Sequence, residues 1–383
     1  MVFPMIVLMA AACSAAGGDT VFDVRAYGAK GDGVTSDTAA VQKAIDAAAA
    51  CQGTVRFPAG RYLVRDLKAA AGVRLEGDGQ WIYRNDLQGA VLQLESGAER
   101  CLLDITGAFG VRLVGLVFNG DLAGGPSGAE PRYGQPWNLP EKCIHGVLLD
   151  NGSKMSPKED CPILENVKVQ NFSGDGLRLW GCWCMTIRHS QFAFNGGNGV
   201  THRGYDGFVS DNQFSGNRLC GFASAFGSST VAFTCNRVEC NHKSGLKIAS
   251  WDGGRGLQGT TWNITGNNFD CNREYGLWLE DVTQSTVTGN VFHRGGFAQA
   301  RLTGCKGVTV VGNASKAWRD ASEVQPAVGF LLQELDACIV KDNAFWRGYA
   351  ETMIDDRGGH VNTLVKDNIG EPMRKFTEDR RCK

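Results

Sequence analysis

From about Gly176 to Asn368 the chain repeats one short phrase, V-x-x-N-x-F, at a nearly constant interval. The asparagine of the phrase or of its degraded forms falls at Asn212, Asn236, Asn267, Asn290, Asn313, Asn343 and Asn368, with spacings of 24, 31, 23, 23, 30 and 25 residues. A unit of this length cannot bury its own apolar face, so it must stack on its neighbours as a solenoid.

The composition of the unit indicates which solenoid it forms. Each unit has three short apolar runs and frequent glycine, and asparagine stands where the chain must turn. Asparagine tolerates the left-handed backbone conformation, and stacked asparagine side chains can hydrogen-bond from coil to coil. The L-x-x-L-x-L pattern of leucine-rich repeats is missing. We therefore predict an all-β chain that folds as a single-stranded, right-handed parallel β-helix.

The chain as a whole fits one solenoid with covered ends. Of 383 residues, we assign 19–370 to the β-helix, with 19–64 as its N-terminal cap, and 371–383 to a charged tail. Basic and acidic residues balance at 39 against 40, so bulk charge favours neither nucleic acid nor an anionic membrane as partner. Fourteen cysteines allow disulfides, such as Cys143 with Cys161, or Cys182 or Cys184 with Cys220, but cysteine also fills interior stacks.

The N-terminal residues predict export. Residues 1–16 are an apolar run too short to span a bilayer, and they end in small residues suited to cleavage, so 1–18 is interpreted as a signal peptide. We accordingly expect a secreted or periplasmic protein without a membrane span. Three alanines before Cys13 loosely resemble a lipoprotein cleavage site, which leaves a lipid anchor open.

Residues 21–64 predict a cap. Thr35, Ser36 and Asp37 precede an alanine-rich amphipathic run, which is typical of a capped helix over 38–50 that could lie across the first coil. The segment F-D-V-R-x-Y-G-A-K-G-D-G-x-x-x-D-T-x-A-x-Q-x-A-I, followed by G-x-V-x-F-P-x-G-x-Y, resembles the N-terminal module of the pectin-lyase-like superfamily, of the rhamnogalacturonase and epimerase type. The resemblance implies a β-helix and, because the module occurs in polysaccharide-degrading enzymes and phage tailspikes, a polysaccharide ligand.

Three long insertions, at 121–142, 151–161 and 250–261, adjoin the strand of the coil that a glycine opens. Long loops in a compact solenoid are often functional, so we expect them to wall a groove along this strand. Alternation turns the third and fifth residues of each such strand outward. The outward thirds are Leu148, Arg178, Thr201, Ala223, Lys247, Trp278, Arg301 and Leu331, and the outward fifths are Asp150, Trp180, Arg203, Ala225, Ala249, Glu280, Thr303 and Gln333.

This outward face predicts a glycan site. Thr201, Ala223, Ala225 and Ala249 leave a floor of small side chains, bordered by cationic and aromatic ones. Aromatic rings suit stacking on sugar faces, and cations suit carboxylates or sulfates, so we expect an acidic polysaccharide as partner. The candidate substrate-binding residues are Arg178, Trp180, Thr201, Tyr205, Asp206, Trp251, Trp278 and Arg301.

Two reactions remain open. Hydrolysis needs two carboxyl groups, for which Glu280, Asp252 and Asp281 are candidates, with Asp206 a further one. Elimination or epimerisation of a uronate needs a base, Lys247 or Tyr205, with Arg178 and Arg203 as neutralising cations. The resemblance narrowly favours hydrolysis, yet the N-T-D, D-D, G-H-G and R-I-K elements of polygalacturonases are missing. A glycan-binding solenoid without activity is the third alternative.

No cofactor is expected from the sequence. No C-x-x-C pairs have zinc-finger spacing, and no dedicated Ca²⁺ loop is evident, although Asp252 and Asp281 could bind Ca²⁺ weakly. His202 falls at an inward position, so we interpret it as an interior residue rather than a catalyst.

Overall fold

A computed structural model describes residues 20–79, 87–120, 122, 142–250, 253, 256–316, 328–346 and 352–370. All pairings between its strands are parallel, and each strand pairs with its equivalents in the coils before and after it. The strands form two hydrogen-bonded sheets, of 24 and 13 strands among the described residues. The predicted parallel β-helix is confirmed.

The coil has three faces. The first face contains Leu67–Lys68, Cys101–Asp104, His145–Asp150, the first halves of Leu177–Arg188 and Val200–Ser210, Phe222–Ser224, Leu246–Ile248, Tyr275–Glu280, Ala298–Thr303, Val328–Gln333 and Thr352–Asp356. The second face contains Val21–Asp23, Thr54–Phe57, Arg74–Gly77, Arg112–Val114, Ile163–Glu165, the second halves of Leu177–Arg188 and Val200–Ser210, Ser228–Thr234, Asn263–Thr265, Thr286–Thr288, Thr309–Val311, Ile339–Lys341 and Leu364–Lys366. Short strands Gly259–Thr260 and Val282–Thr283 lie at the corner between these faces.

The third face is the separate 13-stranded sheet. It contains Asp32–Ser36, Gly60–Val64, Ala90–Leu94, Val117–Asn119, Lys168–Gln170, Gln191–Ala193, Gln213–Ser215, Arg237–Glu239, Asn268–Asp270, Val291–His293, Ala314–Lys316, Ala344–Trp346 and Ile369–Gly370. The first and second faces share one sheet because Leu177–Arg188 and Val200–Ser210 both continue around the corner, with a shift in their register between Trp180 and Cys182.

A helix covers the first coil, as predicted. It spans Thr38–Ala49, follows the short 3-10 turn Val24–Tyr27, and buries Val41, Ala44, Ile45 and Ala48. One detail of the prediction is wrong: the Asp37 side chain makes no capping hydrogen bond to the helix. Its carboxylate instead accepts the backbone N–H groups of Lys30 and Gly31, at 2.6 and 3.0 Å, so it closes the preceding turn.

The asparagine of each repeat forms a continuous ladder. The Nδ2 of Asn267 donates to Oδ1 of Asn290 at 2.9 Å, and Asn290 donates to Asn313 at 3.0 Å; the same pattern joins Asn212 through to Asn368. The predicted coil-to-coil bonding is confirmed. The left-handed residue, however, is the one before each asparagine, as with Asp211 and Gly289, and not the asparagine itself.

A second ladder runs along another corner. Asn195, Asn217, Asn241 and Asn272 are joined by Nδ2 to Oδ1 hydrogen bonds of 2.9 to 3.0 Å. Between the two ladders the phenylalanines of the phrase stack inside the coil, as with Phe269 on Phe292 at 5.0 Å between ring centroids. The two asparagine ladders therefore lie on either side of the apolar phenylalanine stack.

Alternation along the first face is confirmed. The second and fourth residues of each strand point inward and are buried, including the polar pair His202 and Ser224. The Nδ1 of His202 lies 3.0 Å from Oγ of Ser224, and the ring packs against Phe222 and Trp262. His202 is therefore an interior residue, as predicted.

The buried position of His202 makes the stability of the fold sensitive to acid. Burial lowers the pKa of His202 to about 3, below its usual 6.5, so the unfolded chain takes up a proton first as the pH falls. The stabilisation is complete above pH 6.5 and is lost towards pH 3, at up to ~1.4 kcal/mol per pH unit.

We expect His202→Asn to remove the contribution of His202 to the pH dependence of the free energy of unfolding. The measurement is urea unfolding between pH 6.5 and 4. The same change at the exposed His189 should leave the slope as it is. Equal slopes in His202→Asn and the unmodified protein would contradict this assignment.

None of the described cysteines forms a disulfide, so the bridges allowed by the sequence are not formed. Cys182, Cys305 and Cys338 belong to the interior core, which confirms their use as small apolar fillers. The expected signal peptide and charged tail lie outside the described residues. Among the described helices, none has the length and apolar character needed to cross a membrane.

Candidate functional site

The strand pairings align the outward residues of the first face as the sequence predicts. Arg178 pairs with Thr201, Thr201 with Ala223, Ala223 with Lys247, Lys247 with Trp278, and Trp278 with Arg301. Because neighbouring parallel strands lie ~4.8 Å apart, these side chains form one row along the helix axis.

One end of the row is a stack built on Trp278. The Nζ of Lys247, in the preceding coil, lies 4.4 Å from the ring centroid, and the guanidinium of Arg301, in the following coil, lies 4.9 Å from it. Tyr275 packs edge-on against Trp278 at 5.3 Å, and its hydroxyl accepts from Arg301 at 3.4 Å. Trp278 thus stands between two cations, an arrangement that combines a ring for stacking with charges for an anion.

The other end of the row is a second stack, on Trp180. The guanidinium groups of Arg178 and Arg203 lie 4.7 and 5.7 Å from the Trp180 ring, and Phe226 packs edge-on against it at 5.8 Å. Arg203 also donates to the carbonyls of Gly152 and Ser153, at 3.3 and 3.1 Å. This stack therefore joins the row to the second insertion.

The predicted floor of small residues lies between the two stacks. Thr201, Ala223, Ala225 and Ala249 are all buried, with Thr201 and Ala225 at 0% exposure. Arg178 and Lys247 are three coils apart, about 14 Å at ~4.8 Å per coil. The two cationic stacks thus flank a stretch of small, buried side chains on the same face.

A further row of polar side chains belongs to this site and was missed in the sequence. It is formed by residues that directly precede four of the opening glycines: His145, Asp175, Asn198 and Tyr275. Three of them contact the outward-facing third residue of their own strand: Arg178 donates to Asp175 at 3.3 Å, Asn198 donates to Thr201 at 2.9 Å, and Tyr275 packs on Trp278.

His145 is held neutral at the edge of this row. Its Nδ1 accepts the backbone N–H of Asp175 at 2.9 Å, which leaves the ring proton on Nε2. Burial lowers the pKa of His145, against the opposing negative charge of Asp175. A neutral imidazole with an Nε2 proton can donate a hydrogen bond or a proton to a ligand in the groove.

The acidic candidates occupy different surroundings. Glu280 is half-buried at the end of the Trp278 strand and pairs with Thr303 of the next coil. Asp281, in contrast, has a left-handed backbone and accepts the N–H of Gly256 at 3.0 Å, so it anchors the third insertion. Asp252 and Trp251 lie outside the described residues, so a carboxylate pair with Glu280 and a weak Ca²⁺ site with Asp281 stay predictions.

Tyr205 and Asp206 are separated from the row by the corner of the coil. Tyr205 pairs with Trp183 and packs edge-on against its ring at 6.1 Å, beyond the glycine that follows Arg203. Asp206 accepts the indole N–H of Trp183 at 2.7 Å. The structure therefore groups Arg178, Trp180, Arg203, Lys247, Trp278, Arg301 and Glu280 on the first face and places these two residues beside it.

Comparison with known proteins shows which protein families the sequence matches. Residues 21–91 match the family model of the rhamnogalacturonase A/epimerase, pectate lyase-like proteins, and residues 141–256 match that of the right-handed β-helix region. The chain carries a pectate lyase-like N-terminal module on a right-handed β-helix. The predicted handedness and the predicted N-terminal module are thereby confirmed.

Similar proteins differ in what they do. Mannuronan C5-epimerase AlgE5 of Azotobacter vinelandii is 27% identical over 279 residues, which is 68% of this chain and 24% of that protein. Plasmin and fibronectin-binding protein A of Streptococcus pneumoniae is 51% identical over 51 residues, 13% of this chain and 7% of that protein. The chain thus spans a quarter or less of the length of these curated relatives.

Solved structures agree on the fold. The A-module of mannuronan C-5 epimerase AlgE4 from Azotobacter vinelandii superposes with a TM-score of 0.66 at 20% identity, covering 94% of this chain and 98% of that one. The surface adhesin PfbA of Streptococcus pneumoniae gives a TM-score of 0.64 at 15% identity, covering 92% and 93%. At such identities these likenesses show the β-helix fold alone.

Proposed function

We propose that the chain binds an acidic, uronate-containing polysaccharide along the first face and removes the C5 proton of a bound uronate. The observation that carries the proposal is the stack of Lys247, Trp278 and Arg301 beside the low floor at Ala223. Its geometry supplies the Trp278 ring for a sugar face, the Arg301 guanidinium for a carboxylate, and the Lys247 amine beside the small side chain of Ala223. The similarity to mannuronan C5-epimerases supports a polyuronate as ligand.

The chemistry follows from the charge that develops on the uronate. Removal of the C5 proton sends its electron pair into the carboxylate, and the enolate-like intermediate needs cations close to its oxygens. Arg301 can hold the carboxylate through paired N–H donors. The amine of Lys247 accepts the proton as the general base. Returning a proton to the opposite face of C5 gives the epimer, whereas expelling the C4 oxygen cleaves the chain with formation of a double bond.

Hydrolysis is the second candidate, favoured by one observation. Glu280 is a half-buried carboxylate on the strand of Trp278, within the same groove. A glycosidase would need a second carboxyl group across the scissile bond. Among the described residues, Asp281 follows it directly but is engaged with Gly256, so the geometry favours proton removal over hydrolysis.

The proposal is tested by a panel of polymers. Polymannuronate, polyguluronate, polygalacturonate and a neutral glucan of matched length are incubated with the protein, and binding, unsaturated chain ends and reducing ends are followed. We expect binding to a polyuronate that weakens with salt, and little binding to the glucan. Reducing ends without unsaturated ends would support hydrolysis instead, and binding without any product would support an adhesin-like role.

Arg301 provides a sharper check on the binding face. Arg301→Ala should weaken polyuronate affinity by about tenfold or more, because a charge-assisted hydrogen bond contributes ~1.5–3 kcal/mol. Lys341→Ala removes a positive charge from the second face and serves as the matched control. Equal losses in the two variants, measured by titration calorimetry, would argue that binding follows net charge rather than the groove.

A further inference from the structure

Three metal-ligand atoms converge at the base of the second insertion, away from the Trp278 stack. The carboxylate of Glu159 and the thiols of Cys161 and Cys184 lie within 4.8 Å of one another. The Cys161 thiol donates to Oε2 of Glu159 at 3.9 Å. Among the described residues this is the one such group of three or more.

The backbone explains why the two thiols meet. Ile163 pairs with Thr186 in neighbouring coils, so the same register places Cys161 beside Cys184. The N–H of Cys161 donates to the carbonyl of Trp183 at 3.0 Å. Both cysteines have a left-handed backbone, with φ of 44° and 61°, at the same corner of the coil. Their side chains are therefore aligned by the solenoid repeat.

The residues around the cysteines hold this corner in place. Asp160, which is 3% exposed, accepts the backbone N–H of Trp183 at 2.9 Å, and burial raises the pKa of its carboxyl. The indole of Trp183 in turn donates to Asp206. Ligand positions fixed by hydrogen-bonded neighbours in this way are typical of sites that bind a metal tightly.

We propose that Glu159, Cys161 and Cys184 bind one thiophilic divalent cation of the Zn²⁺ class. Two thiolates and a carboxylate match the ligands and coordination preferences of Zn²⁺, and they disfavour Ca²⁺ and Mg²⁺, which take oxygen ligands. Three protein ligands leave the fourth tetrahedral position to water. Binding converts both thiols to thiolates and releases two protons to solvent.

The cation would tie down a wall of the groove. Glu159 and Cys161 end the second insertion, whereas Cys184 belongs to the strand Leu177–Arg188. The near end of the insertion is already held by the hydrogen bonds from Arg203 to Gly152 and Ser153. A metal at the far end therefore fixes the loop on both sides, next to Trp180.

The test uses the full-length protein, reduced and stripped of metal, and titrated with Co²⁺ and then with Zn²⁺. We expect thiolate-to-Co²⁺ charge-transfer absorption that saturates at one ion per chain and is displaced by Zn²⁺. Cys184→Ser should abolish this absorption, and Glu159→Gln should weaken binding by at least about tenfold. Cys240→Ser is the matched control, because Cys240 stacks on Cys271 in the next coil without joining a group of three ligands among the described residues.

A second readout follows the insertion itself. Zn²⁺ should slow trypsin cleavage after Lys154 and Lys158 in the unmodified chain and in Cys240→Ser, but not in Cys184→Ser. Two results would overturn the proposal: equal uptake of Co²⁺ by Cys184→Ser and the unmodified protein, or a Cys161–Cys184 disulfide found by non-reducing peptide mapping of protein purified without reductant.

Discussion

Lys247→Ala is expected to lower the rate at which a bound polyuronate is modified by about 10²- to 10⁴-fold, the usual contribution of a general base. Lys247 lies over Trp278 on one side and pairs with Ala223 on the other, so its amine lies between the proposed stacking ring and the small side chains of the floor. The rate is measured by NMR of the polymer at saturating concentration, which separates loss of chemistry from loss of binding.

Two controls make the result specific. Lys243→Ala removes a lysine of the same coil that is paired with Glu274 at 2.6 Å, and it should retain most of the activity. Glu280→Gln should also retain it. An inactive Glu280→Gln alongside an active Lys247→Ala would overturn the proton-removal scheme in favour of hydrolysis by a carboxylate.

Asn290→Ala is expected to destabilise the fold by about 3–5 kcal/mol. The Oδ1 of Asn290 accepts from the backbone N–H and the Nδ2 of Asn267, and its Nδ2 donates to Ile264 and Asn313. Alanine leaves several buried polar groups without partners, at ~1–3 kcal/mol for each. The free energy of unfolding is measured by urea denaturation followed by circular dichroism.

Asn268→Ala is the matched control, because Asn268 follows Asn267 directly but is exposed on the third face. It should change the free energy of unfolding by less than about 0.5 kcal/mol. A difference below about 1 kcal/mol between the two variants would show that the ladder contributes little to stability.

The fold could be predicted because its determinants recur in the sequence. The repeat period of Asn212 to Asn368 predicted the length of one coil of the β-helix. The opening glycines predicted how the strands of the first face pair with one another. The second ladder could also have been predicted, because Asn217, Asn241 and Asn272 each follow an asparagine of the first ladder by five residues. The left-handed position was assigned one residue too late, because aspartate, cysteine and glycine share it and no single residue type marks it in every coil.

The outward-facing third residues of the first-face strands could be predicted from the sequence, and the other residues of the candidate site less well. The row of His145, Asp175, Asn198 and Tyr275 was missed because alternation counted from the glycine turns these residues inward, whereas their side chains contact the outward row. The partner of Asp281 depends on how a long insertion folds back, which repeat spacing does not specify.

The proposed metal ligands do not form a short sequence motif. Cys161 and Cys184 are 23 residues apart, the same interval as Asn267 and Asn290. In a solenoid, ligands meet at the repeat period rather than at the short spacings of zinc fingers. A search restricted to C-x-x-C pairs therefore passes over them.

The most direct test of the proposed function is solvent-hydrogen exchange at C5. The protein is incubated with polymannuronate, polyguluronate or polygalacturonate in D₂O, and deuterium at C5 and new unsaturated ends are quantified by NMR and mass spectrometry. Removal of the C5 proton predicts, for at least one polymer, deuterium at C5 or unsaturated ends, each strongly reduced in Lys247→Ala. Binding of these polymers with neither signal, or with new reducing ends alone, would contradict it.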